Sequence, residues 1–137
     1  MKLIKRFEIE DGNGNIYLIR WSVGSDIKIH KFLRRDKDCM HDHPWAFLSI
    51  LIKGEYFEVT PDMPFSAGYP VTKVKRYKAP CILYRPAKWI HKIDVYEPAI
   101  SIVINFKKIK SWGFFTRFGF MPWRKYIETC RGKSICE

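Results

Sequence analysis

The chain of 137 residues carries a net charge of +11, from 25 Lys and Arg against 14 Asp and Glu, with 47% hydrophobic and 16% aromatic residues. That composition describes one folded domain with a substantial core and excludes a disordered chain. The longest apolar runs, 46–52 and 99–104, are too short to cross a bilayer.

The charge excess suits an anionic partner, whether a phosphorylated metabolite, a nucleotide or nucleic acid; the alternative is a solvated basic surface. No apolar leader follows Met1, so a cytoplasmic protein without membrane attachment is expected. Cys39, Cys81, Cys130 and Cys136 form no C-x-x-C pair, and in that compartment reduced thiols are expected.

In chain order, residues 2–10 and 16–23 alternate as strands around Asp11-Gly12-Asn13-Gly14-Asn15, a hairpin turn rich in residues that accept positive φ. Residues 27–33 predict a third strand, with His30 in its polar phase, at the surface or a pocket rim. Residues 46–53 predict a buried strand that ends at Gly54, a bend, and 55–60 a further one. Residues 61–70 hold three prolines and a glycine and predict a long loop placed to lie over a site. Further strands are predicted over 71–78, 81–84, 89–96 and 99–106. The pattern is that of an all-β sandwich or barrel.

Residues 107–137 differ from this pattern. They hold eight basic residues and seven aromatics: Trp112, Phe114, Phe115, Phe118, Phe120, Trp123 and Tyr126. One reading packs these aromatics on the barrel or a dimer interface; the other makes them a basic stacking platform for a nucleic-acid strand. Their clustering around Gly and Pro favours packing. A short helix is predicted over 126–131. The chain thus divides into a barrel, 1–106, and a C-terminal extension, 107–137.

The chemistry concentrates in Cys39-Met40-His41-Asp42-His43-Pro44-Trp45. On an extended segment His41 and His43 share a face. Two adjacent imidazoles fill a core poorly but hold a divalent metal well, and His91 is the candidate third ligand. Asp42 falls on the opposite face, as a supporting partner and not a ligand.

These residues resemble the cupin superfamily, a double-stranded β-helix or jelly roll. Its first motif supplies H-x-H, then a glutamate, then a glycine; its second supplies P-x-G-x-x-H. Here His41-Asp42-His43 is followed by Gly54, and Pro86 stands five residues before His91. The resemblance covers about 16–106. His41-Asp42-His43-Pro44-Trp45, Gly54-Glu55-Tyr56 and Trp112-Gly113-Phe114 are further similar to a group of small, uncharacterised cupins of bacteria and phages. The sequence also departs from the family. Its glutamate position is Phe47, its first-motif glycine is Arg35, its second-motif glycines are Pro80 and Lys88, and its asparagine is Val95.

The resemblance implies a metal centre of His41, His43 and His91 holding Fe, Mn, Ni or Zn, and a homodimer. Three neutral ligands leave the ion's charge uncompensated, which favours an anionic substrate met by Arg85, Lys88 and Lys92. Glu55, Tyr56, Glu58 and Tyr84 are the candidate acid–base groups. Three readings stay open: a metal-dependent enzyme (an oxygenase or isomerase) acting on a small anionic metabolite, a metal-free nucleotide-sugar epimerase or isomerase, and a non-catalytic module binding a small ligand or, through its tail, nucleic acid.

Overall fold

The computed structural model describes residues 4–10, 14–35, 38–62, 72–129 and 136. The turn at 11–13 and most of the loop over 61–70 lie outside these residues. Eleven strands and one helix are described. The large sheet has six strands: β1 (Ile4–Glu10), β2 (Ile16–Val23), β3 (Ile27–Phe32), β9 (Ala99–Asn105), β4 (Phe47–Lys53) and β7 (Cys81–Arg85), in that spatial order. The small sheet sets β5 (Glu55–Pro61) between β6 (Thr72–Lys78) and β8 (Lys92–Asp94). Every named pairing in both sheets is antiparallel.

The two sheets pack face to face. Leu51 of β4, Tyr56 of β5, Val95 and Ala99 of β9 form the central cluster, with Phe32, Tyr77, Leu83 and Ile93 packed against it. Alternation drives this arrangement: β9 reads buried at Ala99, Ser101, Val103 and Asn105, and half-buried at the isoleucines between them. Gly54 is the corner between the sheets. Its φ is +79°, and a Cβ there would lie 2.9 Å from the Pro98 carbonyl oxygen, so the bend expected from sequence is sterically reserved for glycine.

The outward face of the large sheet is unusually apolar. One register row runs Trp21, Ile29, Ile102, Ile50, Ile82, and the next runs Val23, Ile27, Ile104, Leu48, Tyr84. An antiparallel sheet with one wet face ordinarily places polar residues there.

The extension forms a hairpin, β10 (Gly113–Thr116) and β11 (Gly119–Pro122), followed by α1 (Trp123–Thr129). It packs on 38–42: Asp42 N donates to the Gly113 carbonyl and Phe115 N to the Met40 carbonyl. The Asp42 carboxylate accepts from Gly113 N and from Lys110 Nζ. Asp42 thus ties down the extension. Phe114 stacks on Tyr126 at 3.9 Å and Trp112 on Trp123 at 5.8 Å, while Phe118 and Phe120 face outward.

Three expectations need correction. The strand predicted over 89–96 is only Lys92–Asp94, because His91 is held by backbone bonds to His41 and Val95 turns into the core. The helix begins at Trp123, directly after Pro122, which cannot continue the β11 ladder. Cys39 and Cys136 form a disulfide in place of the expected thiols, joining the start of the histidine segment to the end of the extension; Cys81 is free. The sequence separation of 97 residues hides that pairing from any spacing argument.

Candidate metal centre

The segment 39–43 is extended, and His41 forms an isolated bridge with His91. His41 N donates to the His91 carbonyl at 2.9 Å, and His91 N returns the bond at 3.0 Å. His43 N donates to the Ala87 carbonyl at 3.0 Å. The backbone therefore fixes the two histidine segments side by side. Alternation then brings His43 to the face His41 occupies.

The three rings converge. Their centroids lie 5.0 Å (His41 to His43), 5.2 Å (His41 to His91) and 4.8 Å (His43 to His91) apart. One donor nitrogen from each lies within 4.8 Å of the others, and His43 Nε2 is 3.2 Å from His91 Nε2. Burial holds His41 at a pKa of about 3, assisted by His91, and holds His43 well below its ordinary value for the same reasons. Both are neutral imidazoles at neutral pH, the form that ligates metal.

Glu58 of β5 stands behind His91. Its Oε2 is 2.6 Å from His91 Nδ1 and accepts from Trp89 Nε1 at 3.2 Å. Arg85 of β7 donates to both carboxylate oxygens, at 2.7 and 3.2 Å, and lies 4.4 Å over the Trp89 ring. Burial alone would raise the Glu58 pKa, but the bonds from His91 and Arg85 prevail and hold it at about 2. The ionised carboxylate fixes the His91 proton on Nδ1 and leaves Nε2 free toward the cluster, the usual arrangement of a ligating histidine. His43 Nδ1 is buried with no hydrogen-bond partner among the described residues, while its Nε2 meets His91 Nε2 at 3.2 Å. The donor set fits a divalent transition metal.

Phe47 lies against the rings, 4.6 Å from His43 and 6.1 Å from His91. From the extension, Trp112 and Phe114 approach His41 at 6.0 and 5.8 Å. The cluster opens into a cavity of about 360 Å³ between the sheets, within the range of small-ligand sites.

The comparisons concern fold. No family model and no curated protein sequence matches the chain. Among solved structures, the polyketide cyclase RemF from Streptomyces resistomycificus matches with a TM-score of 0.61 at 12% identity, over 93% of this chain and 89% of that one. The Drosophila melanogaster CENP-C cupin domain matches with a TM-score of 0.54 at 8% identity, over 75% of each chain. The chain has the cupin fold. Fe(II)-HppE with the alternative substrate (S)-1-HPP also matches, with a TM-score of 0.58 at 11% identity. That match covers 75% of this chain and 56% of HppE, so this chain spans about half the length of that protein.

The other residues singled out from sequence are dispersed. Tyr56 lines the cavity, bonded to Ser49 Oγ at 3.4 Å, and burial raises its pKa to about 12. Tyr84 is 56% exposed on the outer face, away from the cavity. Arg85 is bonded to Glu58, and Glu55 pairs with Arg76 at the surface. Lys88 is exposed and Lys92 half-buried, and neither lines the cavity. His30, expected at a surface or rim, stands in the cavity wall.

Sequence reading missed Arg20, Lys28 and Ser101, which also line the cavity. The signal was present for Arg20. In Ile16-Tyr17-Leu18-Ile19-Arg20-Trp21 it is the one charged residue, and it shares its phase with buried Leu18.

Proposed function

We propose that this cupin is a metal-dependent enzyme acting on a small anionic metabolite at His41, His43 and His91. The observation that carries the reading is the Glu58–His91 contact of 2.6 Å beside two neutral converging imidazoles. That contact turns His91 Nε2 toward the other two rings, the arrangement of a ligating histidine. A bound Fe, Mn, Ni or Zn would supply Lewis-acid activation of a substrate oxygen or of water. The protein's own part is to hold three nitrogens on one side, keep His91 Nδ1 protonated through Glu58, and exclude water with Phe47, Trp112 and Phe114. HppE, described as an Fe(II) protein, supports the metal assignment by likeness of fold alone.

Elemental analysis of untagged protein, beside a His43→Ala variant, tests the reading. Near-stoichiometric transition metal that disappears in the variant is the expected result. Metal-free protein in both cases, after reconstitution, overturns it and returns the site to metal-free isomerase chemistry.

We also propose that the chain is a homodimer through the outward face of the large sheet. The two apolar register rows form one strip, and a second copy related by a two-fold axis would cover Ile82, Tyr84 and Ile27, which are exposed in the single chain.

A further inference from the structure

We propose that Arg20, Lys28 and Ser101 form an oxyanion subsite in the cavity wall, taking the carboxylate or phosphoryl end of the substrate. The inference deepens the metal-enzyme reading, and rests on it for the position of the substrate's reacting end.

The four groups involved come from three adjacent strands. Register places Arg20 of β2 beside His30 of β3, and His30 beside Ser101 of β9. Lys28, two residues before His30, projects from the same face of β3. All four line the cavity that the histidine cluster opens into. The sheet thus presents a polar row to a cavity whose other polar lining is the histidine cluster with Glu58 and Arg85, Asp38 and Ser49.

Among the described residues, Arg20 and Lys28 have no carboxylate partner. None of the ion pairs among the described residues includes either of them. Arg20 donates through Nε to His30 Nε2 at 3.0 Å. Burial keeps His30 neutral, with a pKa of about 3, so this acceptor brings no compensating charge. No other hydrogen bond from the Arg20 guanidinium is found among the described residues, which leaves its terminal N–H groups to the cavity. Lys28 Nζ donates to Asn105 Oδ1 and lies 4.7 Å over the Trp45 ring. The nearby Asp26 carboxylate accepts from Asn105 Nδ2 at 3.5 Å and does not pair with Lys28.

Ser101 supplies the independent observation. Its side chain is 0% exposed, and its Oγ has no hydrogen-bond partner among the described residues. Buried hydroxyls are nearly always bonded, and an orphaned one facing a cavity calls for a ligand atom or water. A guanidinium fork, an ammonium and a hydroxyl around one space match the acceptors of a carboxylate or phosphoryl group.

Both carboxylates that line the same cavity have partners of their own. Glu58 is held by Arg85, and Asp38 accepts from the Tyr126 hydroxyl at 3.1 Å. The cavity therefore has one pole built for a metal and a second built for an anion. A substrate spanning both carries an oxyanion at one end and a metal-binding oxygen at the other.

Calorimetric titration with succinate, inorganic phosphate and neutral succinamide tests the proposal, on both zinc-loaded and EDTA-treated protein. The expected result is binding of at least one anion and none of succinamide. Arg20→Gln should weaken that binding at least tenfold, while Lys88→Gln, an exposed lysine outside the cavity, leaves it unchanged. Preference for succinate or for phosphate assigns the carboxylate or phosphoryl source. Ser101→Ala, which retains the fold's packing, should weaken binding severalfold and serves if Arg20→Gln does not fold. Binding that survives both substitutions, or that falls equally in Lys88→Gln, overturns the proposal. Anion binding in a protein that fails to take up zinc leaves the subsite standing and removes the metal reading. Metal without anion binding does the reverse.

Discussion

His91 and Glu58 form a 2.6 Å contact between Nδ1 and a carboxylate oxygen, buried behind the rings of His41 and His43. The contact decides which His91 nitrogen meets a ligand. The carboxylate arrives from β5 of the small sheet, whereas His91 is anchored to the 39–43 segment. Glu58 and His91 are thus brought together by the β5–β8 pairing, and the candidate centre depends on the 39–43 segment docking beside it.

Glu58→Gln should lower metal affinity by about 10- to 100-fold, the usual effect of removing such a support. It also leaves Arg85 without its buried anion, a loss of about 3 kcal/mol in stability. Metal titration and urea denaturation of the variant check the two effects separately. Unchanged affinity would dismiss the supporting role.

Stability should fall as pH falls below about 6.5. His30 and His41 are held at about 3 by burial, helped at His30 by the charges of Arg20 and Lys28, whereas in the unfolded chain they titrate near 6.5. Between those values the unfolded chain takes up protons that the folded chain refuses, so folding loses about 1.4 kcal/mol per pH unit per histidine. Glu58, held at about 2 against its ordinary 4.5, adds a further loss as pH drops below 4.5. The urea midpoint of metal-free protein should be flat from pH 7 to 9 and decline below 6.5. A midpoint unchanged down to pH 4.5 contradicts this account.

Reduction should destabilise the fold. The Cys39–Cys136 bond spans 97 residues of sequence, and closing a loop of that size is worth up to about 4.7 kcal/mol on the chain-entropy account. Thermal unfolding with and without dithiothreitol, and of Cys136→Ser, should show a drop on the order of 10 °C. Because Cys39 lies two residues before His41, metal affinity should weaken in parallel.

Ile82→Glu should yield a monomer. Ile82 is 69% exposed at the end of a five-residue apolar row, so a charge there costs the monomer little and opposes burial against a second copy. Sedimentation of wild type and variant reads the result. A wild-type monomer removes the dimer assignment.

Much of the architecture was legible because it rests on local rules. The strand over 16–23 was read with the bounds it has, since alternation bounded by turn residues needs no distant information. Gly54 was read as a bend because its positive φ is a property of one residue. The three histidines were legible from their spacing and a family resemblance together. What escaped depends on contacts distant in sequence. Glu58 was chosen for its chemistry, but that it bonds Arg85 and His91 follows only from β5 meeting β7 and β8. The Cys39–Cys136 bond required knowing that the extension returns to the histidine segment. Arg20 went unnoticed because attention fell on charges near the histidine motifs, and its inward phase has meaning only once β2 is known to face a cavity.

The reciprocal backbone bonds between His41 and His91 belong to no particular side chain. They would persist with aspartate, glutamate or cysteine at either position, and each new Cβ would start from the same point. The protein thus separates the frame that sets ligand spacing from the residues that choose the ligand. Such a frame allows the coordinating set to be rewritten one position at a time, by evolution or by design, without the sheets having to find a new register.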